Sequence, residues 1–418
     1  MNQEQYIFHV DVNSAFLSWE AVSRLQHGES TDLRTVCSAI GGNPIKRSGI
    51  ILAASKPAKI KGVKTGEVLH EAFMKCPHLR VYPPDYHLYM RCSQAFVERL
   101  RMYSPLVQKF SIDECFMDMN AFNYSRAQII EVAHRIKDDI KNTLGFTVNI
   151  GIGYNKISAK MASEFEKPDR VHTLFQEEIK SKLWPLKVEE LFGVGRATAP
   201  KLHAIGVETI GDLAHMSIDI LRYKFKSYGS IISNYAKGIE DSVVRNFSGY
   251  EKIKSIGHST TTKFDLISHK DAYSVLLSLT EMVMTRQRAE NLFSQVIALS
   301  IRYSDLTHAT CQKKIFHYTD ETMLVYEVIK GLFNQLWNHK PIRHLGIRVS
   351  GFQDNGTYQY SIFDGPIDKK RKVDNVVDTL RIKYGRDILL RARFLHSGFE
   401  PMVGGVSSDD YTTMISKL

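Results

Sequence analysis

Cysteine is scarce in this 418-residue chain: Cys37, Cys76, Cys92, Cys115 and Cys311, none in C-x-x-C spacing. An odd, scattered set supports neither a disulfide framework nor a zinc cluster, and it fits a reducing, cytoplasmic setting. Long apolar runs are missing too; none approaches the ~18 residues that span a bilayer. Met1 to Phe8 lacks a basic stretch followed by an apolar one, so a soluble, unexported protein with no membrane partner is expected. No repeat with a period of about 20 to 50 residues and no low-complexity run occurs, which excludes a solenoid. Hydrophobic residues at 43% and charged residues at 24% exclude wholesale disorder. The length suggests about three domains at roughly 150 residues each. Lys and Arg total 55 against 45 Asp and Glu, a net charge of +10 that favours a polyanionic partner without identifying it.

Along the chain, Tyr6 to Val12 is β-rich and mostly apolar, and Asn13-Ser14 supplies helix-capping chemistry before apolar positions at Phe16, Trp19, Val22 and Leu25. Asp11 therefore stands at the exit of a buried strand. His27 to Pro84 reads as a small irregular insert. Helical spacing returns over Tyr86 to Tyr103, and Val107 to Met119 reads as two short strands around a turn at Asp113-Glu114. A long amphipathic helix (about Arg126 to Leu144), a strand (Phe146 to Ile152) and a basic helix from Asn155 to Lys167-Pro168 follow. This order predicts an α+β sheet with helices on one face. Trp184 to Lys237 is helical with glycine punctuation, and Asn246 to Lys254 is polar and aperiodic. Beyond it, a β-α-β-β-α-β pattern runs from Ile253 to Phe352, the split-βαβ sandwich.

The strongest chemical signal is acidic. Asp11 and the pair Asp113-Glu114 are distant in sequence but lie on strands expected to be neighbours. Converging carboxylates suit Mg²⁺, and two such ions can activate a hydroxyl while stabilising a leaving pyrophosphate. From these residues alone, a solvated Asp-Glu turn is the commoner reading, because turns favour Asp for local reasons.

Three spaced words surround these acids: His9-Val10-Asp11-Val12-Asn13-Ser14-Ala15-Phe16, Ser111-Ile112-Asp113-Glu114, and Asn155-Lys156 through Ala159-Lys160 and Ser163 to Lys167-Pro168. In this order they closely resemble the Y-family translesion DNA polymerases, most nearly the bacterial polymerase IV type, over about residues 5 to 352. The resemblance implies a right-hand α+β polymerase: palm (1–26 and 85–173), small fingers (27–84), helical thumb with a helix-hairpin-helix (174–243), linker (244–254), little finger (255–352) and tail (353–418). It implies template-directed, low-fidelity DNA synthesis past damaged bases, with primer-template DNA and dNTPs as partners and two Mg²⁺ ions as cofactors. A non-catalytic DNA- and clamp-binding scaffold on the same fold is the alternative.

Carried over by position, Asp11, Asp113 and Glu114 are the expected catalytic, metal-binding carboxylates, with the Val12 carbonyl as a further ligand. Phe16 occupies the steric-gate position, where a ring under the sugar excludes a 2′-hydroxyl; without the motif it reads as a core aromatic. Lys160 and Lys167 match positions near the incoming triphosphate. Lys56 and Lys59 stand where better-known relatives place a Tyr and an Arg, and a lysine cannot reproduce a bidentate guanidinium. Asn13 replaces an acid common in relatives and is not counted as a ligand.

Gly193-Val194-Gly195 reads as the hairpin glycines that let backbone N–H groups approach a DNA phosphate, or as a plain helix-to-helix turn. Lys254, Arg302, Arg343 and Arg348 are expected on a DNA-tracking sheet face. Gln359, Ile362 and Phe363 lie in a pentapeptide resembling the sliding-clamp-binding motif. Lys369 to Val373 resembles an import signal and is read as a solvated basic patch. Asp374 to Arg393 has helical spacing and resembles tails of the polymerase V branch.

Overall fold

A computed structural model describes residues 5–42, 49–245, 253–354, 367–385 and 388–395. Gln359, Ile362 and Phe363 lie outside the described residues. The described chain forms two compact units, one over 5–42 and 50–245, the other from 253 onward.

The first unit opens with β1 (Ile7–Val12), buried at every position, and α1 (Ala15–Gln26). A side layer follows: β2 (Ser38–Gly41), β3 (Ile51–Ala54), α2 (Lys56–Ile60), α3 (Leu69–Lys75) and β4 (Arg80–Tyr82). Its three-stranded sheet, in order β3-β2-β4, packs its own core around Ala39, Ile51 and Leu69. The chain returns through α4 (Tyr86–Arg101), β5 (Val107–Lys109), β6 (Glu114–Asp118), α5 (Arg126–Leu144), β7 (Val148–Gly153), α6 (Lys156–Glu164) and β8 (Val171–Leu174). These strands order as β5-β6-β1-β7-β8, with β1 central and antiparallel to both neighbours.

Helices cover both faces of this sheet, not one. Phe8, Val10, Val12, Ile150 and Ile152 share a core with residues of α1, α4 and α5. On the other face lies α6, whose backbone crosses β7 so closely that a Cβ on Gly151 would sit 2.0 Å from the Ala159 carbonyl oxygen and one on Gly153 2.4 Å from the Ala159 nitrogen. Fully buried central strands need cover on both sides, and two glycines make the second cover possible. The helix stops at Glu164, so Lys167 lies beyond it. Asn155 caps its start by accepting from the Ser158 N–H at 2.9 Å.

Four short helices complete the unit: α7 (Ala199–His203), α8 (Ile210–His215), α9 (Ile218–Phe225) and α10 (Ser227–Ala236). They close around Val188, Leu191, Leu202, Leu213 and Ile232, with Ile157 and Met161 of α6 in the same core. Val244, at the first position expected of a linker, is buried against Ile7, Phe110 and Phe116. Its apolar side chain extends the unit past the polar signal that marked the boundary.

The second unit runs β9 (Ser255–Leu266), α11 (His269–Ala289), β10 (Leu292–Tyr303), β11 (His308–Thr319), α12 (Thr322–Leu336) and β12 (Ile342–Asp354). The sheet order β11-β10-β12-β9 is antiparallel throughout, so each helix connects parallel strands with one strand between them. Ile297, Leu299, Ile301, Ile347 and Val349 face the two helices.

The expected tail does not separate from this unit. A further helix, α13 (Ile367–Tyr384), docks on it by charge. Arg288 of α11 pairs with Asp378 at 2.6 Å and Asp374 at 3.5 Å; Glu281 pairs with Arg381 at 3.1 Å and with Arg391. Within the basic run, Arg371 binds Asp320 at 2.7 Å and Lys370 binds Glu321 at 3.0 Å. That run is thus partly a docking element, not only a solvated patch. Asp374, Asp378 and Arg381 recur at i, i+4 and i+7 and are buried, while Val373, Val376 and Ile382 are exposed. The helix turns these three charges inward while Lys369, Lys370, Lys372 and Lys383 stay exposed, so its buried stripe is not the apolar one of ordinary amphipathicity.

Candidate active site

The site grows from strand register. Asp11 is directly opposite Glu114 on β6 and Asn149 on β7. The Val12 N–H donates to the Asp113 carbonyl at 3.0 Å, holding the β5–β6 turn against the end of β1. Alternation places His9 and Asp11 on the face that α6 covers, with Glu114 and Phe116 beside them.

Two ammonium groups reach these acids from the α6 segment. Lys160, buried on the helix, donates to Glu114 Oε1 at 3.0 Å, with the rings of Phe110 and Phe192 at 5.0 and 5.2 Å from Nζ. Lys167 contacts Asp11 Oδ2 and binds Glu164 Oε1 at 2.9 Å. Lys59, from α2, donates to Ser14 Oγ at 2.8 Å. Ser14 does not cap α1 with its side chain; it is left-handed (φ 48°), and its hydroxyl receives Lys59 instead. Lys56 stands exposed on the first turn of α2.

Asn13 is buried and structural. Its Nδ2 donates to Asn149 Oδ1 at 3.1 Å, and its Oδ1 accepts the Asp169 N–H at 3.0 Å. Asn149 in turn donates to the carbonyls of Ser163 at 3.1 Å and Glu166 at 2.6 Å. This pair of amides fastens the segment carrying Lys167 to the sheet.

Burial sets the electrostatics. Asp11 is pushed up to about 7 by burial, against the pull of Lys167 and with the push of Glu114 and Asp113. Burial also raises Asp113, whose Oδ1 accepts the Ser111 hydroxyl at 2.6 Å. Burial alone would raise Glu114 as well; His9 and the Lys160 ammonium outweigh it and hold the carboxyl at about 2. The His9 ring is driven down to about 4 by burial and by the Lys160 ammonium. Lys59 is lowered by burial and by the repulsion of Lys167.

Oxygens of Asp11, Glu114 and Glu164 lie within 4.8 Å of one another, a hard-oxygen donor set that fits a divalent cation. Glu164 was missed in the sequence, although its spacing of three from Lys167 was visible there. His9 was missed too: its Nδ1 is 2.7 Å from Ser163 Oγ and its Nε2 is 3.8 Å from Glu114 Oε2. Phe16 is half-buried and stacks on Tyr89 at 4.7 Å between centroids.

Gly193 has φ 95°, and its carbonyl accepts the Tyr228 hydroxyl at 2.5 Å; a Cβ there would meet that oxygen at 2.8 Å. Gly195 is exposed, with nothing within 4 Å of a would-be Cβ, and its carbonyl accepts the Thr198 and Ala199 N–H groups at 2.9 and 3.0 Å. In the second unit, Ala298, Ser300, Thr310, Gln312, Gly346 and Arg348 line a groove. Arg302 and Arg348 share the sheet face opposite the helices, and Lys254 is exposed just ahead of β9. Arg343 sits in the register shift between Ile342 and His344, where simple alternation does not set its face.

With this geometry in place, known proteins give the context. The impB/mucB/samB family matches residues 10–164, its C-terminal domain residues 253–362, and the IMS family HHH motif residues 176–207. DNA polymerase IV of Clostridium acetobutylicum is 42% identical over 390 residues, covering 93% of this chain and 98% of that one. The chain belongs to the Y family of DNA polymerases. Within the family, DNA polymerase IV of Alkaliphilus oremlandii is 35% identical over 93% of this chain and 98% of its own length. A solved Y-family DNA polymerase chimera superposes with a TM-score of 0.71 at 22% identity, covering 84% of this chain and all of that one. That likeness establishes the right-hand α+β fold. Among the described residues, no helix is long and apolar enough to cross a membrane.

Proposed function

We propose that Asp11, Asp113 and Glu114 are the carboxylates through which this DNA-directed DNA polymerase extends a primer past damaged template bases. The observation that carries the reading is the cross-strand pairing of Asp11 with Glu114, with Asp113 pinned beside them by the Val12 N–H. The family's divalent metal ions would be two Mg²⁺ in this chain, and these three side chains with the Val12 carbonyl would hold them. When bound, such ions favour the ionised primer 3′-hydroxyl and neutralise the departing pyrophosphate.

The remaining roles follow from position. Lys160 and Lys167 neutralise charge on the triphosphate, with Lys59 and Lys56 contributing from α2. Phe16, backed by Tyr89, excludes a 2′-hydroxyl. The backbone at Gly193 and Gly195 meets a DNA phosphate, and Lys254, Arg302, Arg343 and Arg348 track the duplex. We assign the five-stranded sheet with its helices to the palm, the three-stranded layer to the fingers, α7 to α10 to the thumb, and β9 to β12 to the little finger. Gln359, Ile362 and Phe363 are proposed to engage a sliding clamp, with the enzyme acting on the chromosome in the bacterial cytoplasm.

The test is primer extension by the purified protein on an abasic or adducted template, with Mg²⁺ and dNTPs. Extension past the lesion supports the reading; DNA binding without incorporation would return the chain to a non-catalytic scaffold.

A further inference from the structure

Lys167 bridges two acids of unlike exposure: the Asp11 side chain is 9% exposed and the Glu164 side chain 45%. The backbone on either side is fixed, since the Glu166 carbonyl accepts from Asn149 and the Asp169 N–H donates to Asn13. The side chain itself is 32% exposed, and its ammonium bonds both acids at once. The ammonium sits on Oδ2 of Asp11, one of the acids whose oxygens cluster as a cation donor set. A divalent ion and an ammonium on one carboxylate repel each other, so the ion's arrival weakens the hold of Asp11 on Lys167. Glu164, already bonded to the same ammonium, offers it a place at the outer rim.

We propose that Glu164 is a positioning residue that acts through Lys167: it receives the ammonium when Asp11 takes a cation, and holds it where the triphosphate arrives. The inference rests on the carboxylate-centre reading above. It differs from a plain helix-end ion pair, which would be indifferent to metal, and from direct ligation by Glu164, which would not need Lys167.

The experiment titrates the full-length, DNA-free protein with Mn²⁺ and follows free Mn²⁺ by electron paramagnetic resonance, with melting temperatures as the folding control. Loss of binding in Asp11→Asn identifies the site; retained binding there overturns the carboxylate centre itself and this inference with it. Lys167→Met should tighten Mn²⁺ binding by about threefold or more, and Glu164→Gln should weaken it by about threefold. In the Lys167→Met background, Glu164→Gln should change affinity by less than about 1.5-fold, the non-additivity expected when one residue works through another. Glu164→Asp keeps the anion and should stay near wild type. Equal weakening by Glu164→Gln with and without Lys167, no effect in either background, or no tightening in Lys167→Met would each overturn the proposal.

Discussion

Asp11 and Glu114 stand directly opposite each other on antiparallel β1 and β6. Like charges so placed destabilise a sheet, and the protein accepts this by bringing Lys160 to one and Lys167 to the other. Asp11, Glu114 and Glu164 thus cluster with the Lys160 and Lys167 ammonium groups, while Asp113 accepts from Ser111 on the adjoining turn.

The aromatic floor beside this cluster predicts sugar selectivity. Phe16→Ala should raise ribonucleotide incorporation relative to deoxyribonucleotide by at least about tenfold, roughly 1.4 kcal/mol of lost discrimination. Competing the two nucleotides on one template measures it. Because Phe16 also stacks on Tyr89, melting is recorded alongside; unchanged selectivity in a folded, active variant would make the ring a core residue only.

Binding of primer-template DNA should weaken steeply with salt. Arg302 and Arg348 on one sheet face displace condensed counterions when they meet phosphates, so a log–log plot of affinity against salt should slope downward. Arg348→Ala should make the slope shallower by about one. A flat plot would contradict the assignment of this face.

Stability of the second unit should depend on its C-terminal helix. Arg381 is buried against buried Glu281, and removing one partner of such a pair leaves an under-compensated charge. Arg381→Ala should cost about 3 kcal/mol, less whatever Arg391 retains. Chemical denaturation of the full chain checks this; an unchanged midpoint would mean the helix is dispensable to the unit.

Acid should destabilise the first unit. Hydrogen bonds from Arg99 hold Asp139 below its ordinary range, and Arg34 does the same for Asp32. Such groups bind fewer protons folded than unfolded, so their contribution is whole above about pH 4 and is lost as pH falls below it. The melting-temperature difference between wild type and Arg99→Gln, which isolates the Asp139 contribution from the titrations of Asp11 and His9, should hold constant from neutrality to about pH 5 and shrink below it; a difference unchanged down to about pH 3 would contradict this pairing.

Periodicity made much of this legible. The strand entering Asp11, the helix Arg126–Leu144 and the six elements of the second unit stand close to where apolar spacing puts them. What escaped was set by contacts distant in sequence. Asn149 fastening the Lys167 segment, and Glu281 and Arg288 matched by charges about 90 or more residues away, leave no local pattern. α13 was misjudged beyond its helical spacing because its buried stripe is charged, which periodicity assigns to solvent. The face of Arg343 was not legible because the register shift between Ile342 and His344 is invisible to alternation. Glu164 hid within a charged run that reads equally as a solvated face.

The most direct test of the catalytic centre is single-nucleotide incorporation by Asp113→Asn and Glu114→Gln, each isosteric with the native side chain, with primer-template affinity measured on the same preparations. Incorporation should fall by at least about a thousandfold, some 4 kcal/mol of lost transition-state stabilisation, while DNA affinity stays within about threefold of wild type. Near-normal incorporation by either folded variant would contradict the assignment of these carboxylates.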